Sequence, residues 1–161
     1  MKHLLIFLIL AIMCLAETLS FGYSLNTTHI KSPSRDYDFI EDNQVFTLEK
    51  RNESEIKGFT HFTNSFGNES AMIYIGKIKD KNNKGFYWSY KVGLCKGYNK
   101  IDYLPSKTVD NMYWVFNNHL VFYKDYSIVP LVSLGYKLNK DLSVESVLSG
   151  NAIITNIKIT F

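Results

Sequence analysis
From Phe86 to Cys95 the chain reads Phe-Tyr-Trp-Ser-Tyr-Lys-Val-Gly-Leu-Cys. Phe86, Trp88, Tyr90, Val92 and Leu94 fall on one face of an extended backbone, and Tyr87, Ser89, Lys91, Gly93 and Cys95 on the other. A period of two is the signature of a β-strand, and the run matches the roughly nine to eleven residues of a strand that crosses a bilayer. The C-terminus repeats the pattern, with Ile153, Thr155, Ile157, Ile159 and Phe161 against Ala152, Ile154, Asn156, Lys158 and Thr160. A soluble β-sandwich alternates as well, so periodicity alone keeps that fold as a rival.

Composition narrows the field. The chain has 161 residues, enough for one domain, with 46% hydrophobic and 15% aromatic content. Tyr, Phe, Ile, Asn and Thr are abundant and Ala is scarce, which favours strands. Eighteen basic and fifteen acidic side chains leave a net charge of +3, and no basic helix or zinc spacing points to nucleic acid. Cys14 and Cys95 are too far apart for a CxxC site, and no cofactor is expected.

Lys2 and His3 precede an unbroken apolar run from Leu4 to Ala16. That reads as a secretory signal peptide within residues 1–20, with an N-terminal anchor as the alternative, and it falls short of the length of a membrane-spanning helix. Cleavage falls between 16 and 22, leaving a single barrel domain over 21–161. Bulky Met13 before Cys14 argues against a lipoprotein signal, and processing leaves Cys95 as the lone thiol. An export signal together with strand-length alternation ending in a terminal Phe resembles bacterial outer-membrane barrels. The fold class expected is therefore all-β, an eight-stranded antiparallel transmembrane β-barrel in the outer membrane of a Gram-negative cell.

Strands are expected near 23–30, 44–51, 55–63, 70–78, 85–98, 126–137, 141–148 and 152–161. An even count is what closure of an antiparallel membrane barrel requires. With the N-terminus in the periplasm, the turns at 52–54, 79–84 and 138–140 are periplasmic and polar. The two long connections, roughly 31–43 and 99–125, face outward, which is the usual asymmetry. Met112–Phe116 and Leu120–Tyr123 are apolar enough to fold over the mouth or to add two strands.

The first and third strands both run outward. His29 then stands near the outer end of one, and Asn64-Ser65 near the end of the other, two strand spacings or roughly 10 Å away. A histidine facing an Asn-Ser pair offers a base beside a hydroxyl; ordinary rim and turn residues look the same. His61 reads as a wall residue, His119 lacks an acidic partner, and Cys95 reads as a small interior residue. Asp36, Asp38, Glu41 and Asp42 form an acidic loop, either solvated or holding a divalent ion among lipopolysaccharide phosphates.

These positions resemble the lipid A palmitoyltransferase (PagP) family, in which a histidine closes the first strand and the third ends in Phe-x-Asp-Ser-aromatic. Here the matching residues are His29 and Phe62-Thr63-Asn64-Ser65-Phe66, and Val129-Pro130-Leu131-Val132-Ser133-Leu134-Gly135-Tyr136 is similar to a later family strand. The resemblance implies a monomeric, cofactor-free barrel that moves a palmitoyl chain from phospholipid to the lipid A of lipopolysaccharide. It also implies catalytic roles for His29 as base, Asn64 as orienter and Ser65 as nucleophile or positioning hydroxyl. Pro130 lacks a ladder donor and would weaken a seam through which lipid enters.

Three departures stand against it. Asn64 replaces a carboxylate that would stabilise an imidazolium, although an amide can still orient a histidine. No room precedes the first strand for the family's amphipathic helix. Alternation also places Lys91, Lys158 and, if the phase of 141–148 holds, Glu145 in the lumen, where they must pair low in the barrel to coexist with an acyl chain. The alternative is a non-enzymatic small outer-membrane barrel for surface interaction or membrane integrity, its contacts on the 99–125 loop. The Asn-, Lys-, Ile- and Tyr-rich composition fits an AT-rich genome, of a bacterium or of one of its phages.

Overall fold
The computed structural model describes residues 18–30, 43–65, 67–80, 84–97, 121–123, 126–150 and 152–161. Residues 1–17 of the expected signal peptide, the acidic loop, Phe66, His119 and the Met112–Phe116 run lie outside these residues. Nine strands occur among them: β1 (Thr18–His29), β2 (Val45–Arg51), β3 (Glu55–Thr63), β4 (Glu69–Lys79), β5 (Gly85–Lys96), β6 (Val121–Tyr123), β7 (Tyr126–Lys137), β8 (Leu142–Ser149) and β9 (Ala152–Thr160).

Eight of them close a ring, β1-β2-β3-β4-β5-β7-β8-β9 and back to β1, antiparallel throughout. The eight-stranded barrel expected from the alternation is thus present. Closure on one side is the β1–β9 ladder, finished by Phe161 N donating to the Leu19 carbonyl at 2.8 Å. On the other side β5 and β7 pair along their whole lengths, from Gly85↔Lys137 to Lys96↔Tyr126. Two boundaries differ from expectation. β1 begins at Thr18, paired with Arg51, and not near 23, so the barrel starts before position 21. The apolar run near 120 adds one short strand outside the ring: β6 pairs with Tyr126–Ile128, where β7 rises beyond its last partner on β8, Ser149.

The wall is inverted relative to a soluble protein. On β5 the expected alternation holds, with Phe86, Trp88, Tyr90, Val92 and Leu94 exposed and Tyr87, Ser89, Lys91 and Cys95 buried. Phe21, Phe59, Ile73, Ile75, Val132 and Leu134 extend the apolar outer surface around the ring. Isolated exposed apolar side chains are ordinary, but a continuous belt of them is not.

Large interior side chains are seated against missing ones. The Tyr74 ring lies over its cross-strand neighbour Gly58, and Tyr87 lies over Gly135; a Cβ at either glycine would fall 2.3 or 2.1 Å from the ring. Those tyrosines belong to a charged layer near the turn end. Lys91 reaches Glu49 at 2.8 Å and Glu145 at 3.1 Å, while Lys158 reaches Glu145 at 2.9 Å and also pairs with Glu49. Arg51 adds a contact to Glu49 at 3.2 Å, and the Tyr74 and Tyr87 hydroxyls donate to Glu49 and Glu145. Every charge in this layer has opposite charges beside it, which is the condition for burying ions at all.

Candidate functional site
β1 carries one extra residue. Its register against β9 shifts between Ser24 and Asn26, so Leu25 and Asn26 both point outward. Ser20, Gly22 and Ser24 are buried below the bulge, and Thr27 is buried above it. Uninterrupted alternation from Ser24 would have turned His29 outward. Bulges commonly re-aim a side chain in this way.

Redirected, the half-buried His29 reaches the β3–β4 turn. Its Nε2 lies 2.6 Å from Ser65 Oγ, although the two residues are 36 positions apart. With the proton on Nδ1, Nε2 accepts from the Ser65 hydroxyl. That is a base positioned to take the proton of a hydroxyl nucleophile, or of a substrate hydroxyl standing in its place. The roughly 10 Å expected between strand ends is bridged by the turn.

Asn64 holds that turn. Its Nδ2 donates to Ser70 Oγ at 3.0 Å and to the Gly97 carbonyl at 3.1 Å, and its Oδ1 accepts from Asn68 N at 3.1 Å. A carbonyl on one side and an N–H on the other fix which amide atom is which. Gly97 has φ of 120° and sits so close to Ser70 that a Cβ would meet its Oγ at 2.3 Å. The Asn64 side chain therefore ties β3, β4 and the end of β5 into one rigid corner beneath Ser65.

Ser65 and Asn64 line the mouth of a cavity of about 90 Å³ that runs down the lumen. Phe62, Met72, Cys95, Val129, Leu131, Val147 and Ile154 form an apolar band below the mouth. Tyr74, Glu49, Lys91, Glu145 and Lys158 close the bottom. The volume is several times what one water needs. Of the other candidates, His61 faces outward and contacts Glu69 at 2.9 Å, as a wall residue would. Cys95 is a buried free thiol of the apolar band. Pro130 is exposed on the wall, paired with Val92 just beyond the end of the β7–β8 ladder.

Glu49 and Arg51 were missed by the sequence reading. Their signal was present: Val45, Thr47, Glu49 and Arg51 alternate with Phe46, Leu48 and Lys50, and in an inverted wall the apolar face points out. No protein-family model and no curated protein matches the chain.

Proposed function
We propose that this barrel sits in the outer membrane of a Gram-negative cell and transfers an acyl chain, palmitoyl by the family resemblance, from phospholipid to lipid A. The observation that carries the reading is the His29–Ser65 pair, 2.6 Å apart, at the mouth of an apolar cavity with an ion-paired floor. An acyl ester placed there has its carbonyl beside the hydroxyl and its methylenes along Met72, Val129, Leu131 and Val147. His29 takes the proton of Ser65 as its oxygen attacks and returns it to the departing lysophospholipid oxygen, leaving an acyl-Ser65 ester; it then takes the proton of the attacking lipid A hydroxyl and returns it to Ser65 Oγ as the acyl chain passes to lipid A. Asn64 acts by holding the turn that presents Ser65.

The membrane location rests on the apolar outer belt, for which water is a poor solvent and lipid a good one. Export rests on the apolar run ending at Ala16. A cut there leaves β1 whole, whereas a cut after Gly22 would remove residues that pair with Thr47–Arg51. Expression in a Gram-negative host, followed by fractionation and gel mobility with and without heating, tests the location; a soluble periplasmic protein would overturn it. Mass spectrometry of lipid A with and without expression tests the activity. An added acyl mass supports transfer. An unchanged profile would leave the non-enzymatic surface barrel as the better reading.

A further inference from the structure
The apolar outer belt is not level around the ring. Register climbs from strand to strand: the rung that leaves β1 at Thr18 returns to β1 eleven positions on, at His29, and one of the eleven is the bulge. Each strand therefore adds a little over one residue of height. Lys57 shares its rung with Val92, two strands on, so it stands level with Ser89 and Tyr90. From that level down to the turns, the outer faces of β5, β7 and β9 carry Phe86, Trp88, Tyr136, Ile159 and the terminal Phe161. Over the same height β2, β3 and β4 carry Lys50, Glu55, Lys57, Lys77 and Lys79. A basic notch is cut into the belt across three adjacent strands.

Such a notch is costly against hydrocarbon. On β3, Phe59 is the only outward side chain between Lys57 and His61. That is roughly 14 Å of strand, where a membrane barrel presents about 25 Å of apolar wall. A lysine can snorkel toward the headgroups, but Lys57 stands directly opposite Lys50, and like charges so placed repel. Among the described outer-face residues of the notch Glu55 is the one acid, and Lys77 holds it at 3.0 Å. The notch is therefore short of negative charge and opens to the leaflet at the turn end. An anionic headgroup drawn up beside these strands answers both conditions. Its phosphate sits between facing amines, and its acyl chains meet Leu48, Phe59 and Ile75 above.

We infer that the notch on β2, β3 and β4 binds the headgroup of an anionic phospholipid from the leaflet at the turn end, with Lys50, Lys57 and Lys77 around the phosphate. The inference rests on the reading of the chain as a membrane barrel and is independent of acyl transfer. Trp88 reports on it, since Lys79 lies 5.8 Å from the centre of its ring and Lys57 is two strand spacings, about 10 Å, away. The mature barrel carrying Trp114→Phe, which leaves Trp88 as its only tryptophan, is refolded into phosphatidylcholine vesicles. Brominated phosphatidylglycerol or brominated phosphatidylcholine is then added as quencher. The anionic lipid is expected to reach Trp88 with about tenfold preference, the order that one or two lysines at a membrane surface supply. Lys57→Met should cut the preference to about twofold, Lys57→Arg should keep it, and about 1 M salt, with a screening length of about 3 Å, should abolish it. Heat-modifiable mobility verifies that each variant is folded. Equal quenching of the unaltered barrel by both lipids would refute the inference, and a preference that survives Lys57→Met would refute the assignment to this notch. Weak quenching by both would mean that protein, such as a second copy of the chain, covers the notch in place of lipid. If the barrel does not insert at all, the membrane reading falls and takes the inference with it.

Discussion
The two halves of the lumen solve opposite problems with the same kinds of residue. In the turn-end half, Glu49, Glu145, Lys91, Lys158 and Arg51 are bonded to one another and to two tyrosines, and glycines give those tyrosines their room. In the loop-end half, His29 and Ser65 meet at the mouth of a cavity that is lined below by an apolar band. The lower half is filled by side chains that bond to one another. The upper half leaves open space above that layer. Stability should therefore be most sensitive below, and function above.

The strongest way to break that contrast is at the mouth. His29→Ala and Ser65→Ala are each expected to lower acyl transfer by about 10²–10⁴-fold, the range for a lost acid–base partner. Both sit at the rim, where truncation removes little buried apolar area, so folding should change by no more than the one hydrogen bond lost, about 1 kcal/mol. Lipid A mass spectrometry and heat-modifiable mobility read the two effects separately. His61→Ala, on the outer wall, is the control; if it alone abolished transfer, the pairing of His29 with Ser65 would be irrelevant.

The converse test is in the floor. Glu145→Ala leaves Lys91 and Lys158 with Glu49 as their remaining itself-shared carboxylate and removes the acceptor of the Tyr87 hydroxyl. Breaking a buried ion network in this way costs about 3–5 kcal/mol. The urea midpoint for unfolding from detergent or vesicles should fall accordingly. Protein that still folds should retain its His29–Ser65 pair and its transfer activity. Loss of activity at unchanged stability would mean that the floor belongs to the site.

The alternation of β5 and β9 was enough to foretell a barrel, because a period of two in an inverted wall states both the strand and its inner face. It foretold Lys91 and Lys158 in the lumen for the same reason. Glu49 and Arg51 went unread because their strand is short and its outer face includes Lys50, which blurs the apolar side. His29, Asn64 and Ser65 were legible as a cluster at one rim. Their geometry was not, since contact depends on a bulge and a turn that carry no pattern of their own. The role of Asn64 changes most: beyond a substitute for a carboxylate, it is the hydrogen-bonded corner of the turn.

That change gives a prediction opposite in sign to the one drawn from the resemblance. A carboxylate at position 64 would favour an imidazolium at His29, so sequence comparison alone expects Asn64→Asp to keep or raise activity. In the structure Nδ2 donates to the Gly97 carbonyl, and a carboxylate oxygen there would face it with no proton between them. The loss should be about 1–3 kcal/mol of stability, with transfer falling roughly tenfold as the corner carrying Ser65 loosens. Thermal unfolding and transfer rate, measured on one preparation, decide the sign. Undiminished activity at full stability would return Asn64 to the role of a carboxylate substitute.

The smallest effect is expected from the most drastic edit, deletion of Leu25. This residue is the extra one in the bulge, and Ser24 and Asn26 already pair with successive residues of β9, Asn156 and Thr155. Removing it leaves a regular strand in which Ser24, Thr27 and His29 still point inward, because Asn26 alone then occupies the outward position between the first two. If the bulge only corrects phase, transfer and assembly should both survive with little change. If the bulge also bends β1 so that His29 meets Ser65, transfer should collapse while heat-modifiable mobility persists. Insertion of one residue between Asn26 and Thr27 is the complementary edit. It puts His29 on the outer wall or forces a second bulge, and transfer should be lost unless that second bulge forms.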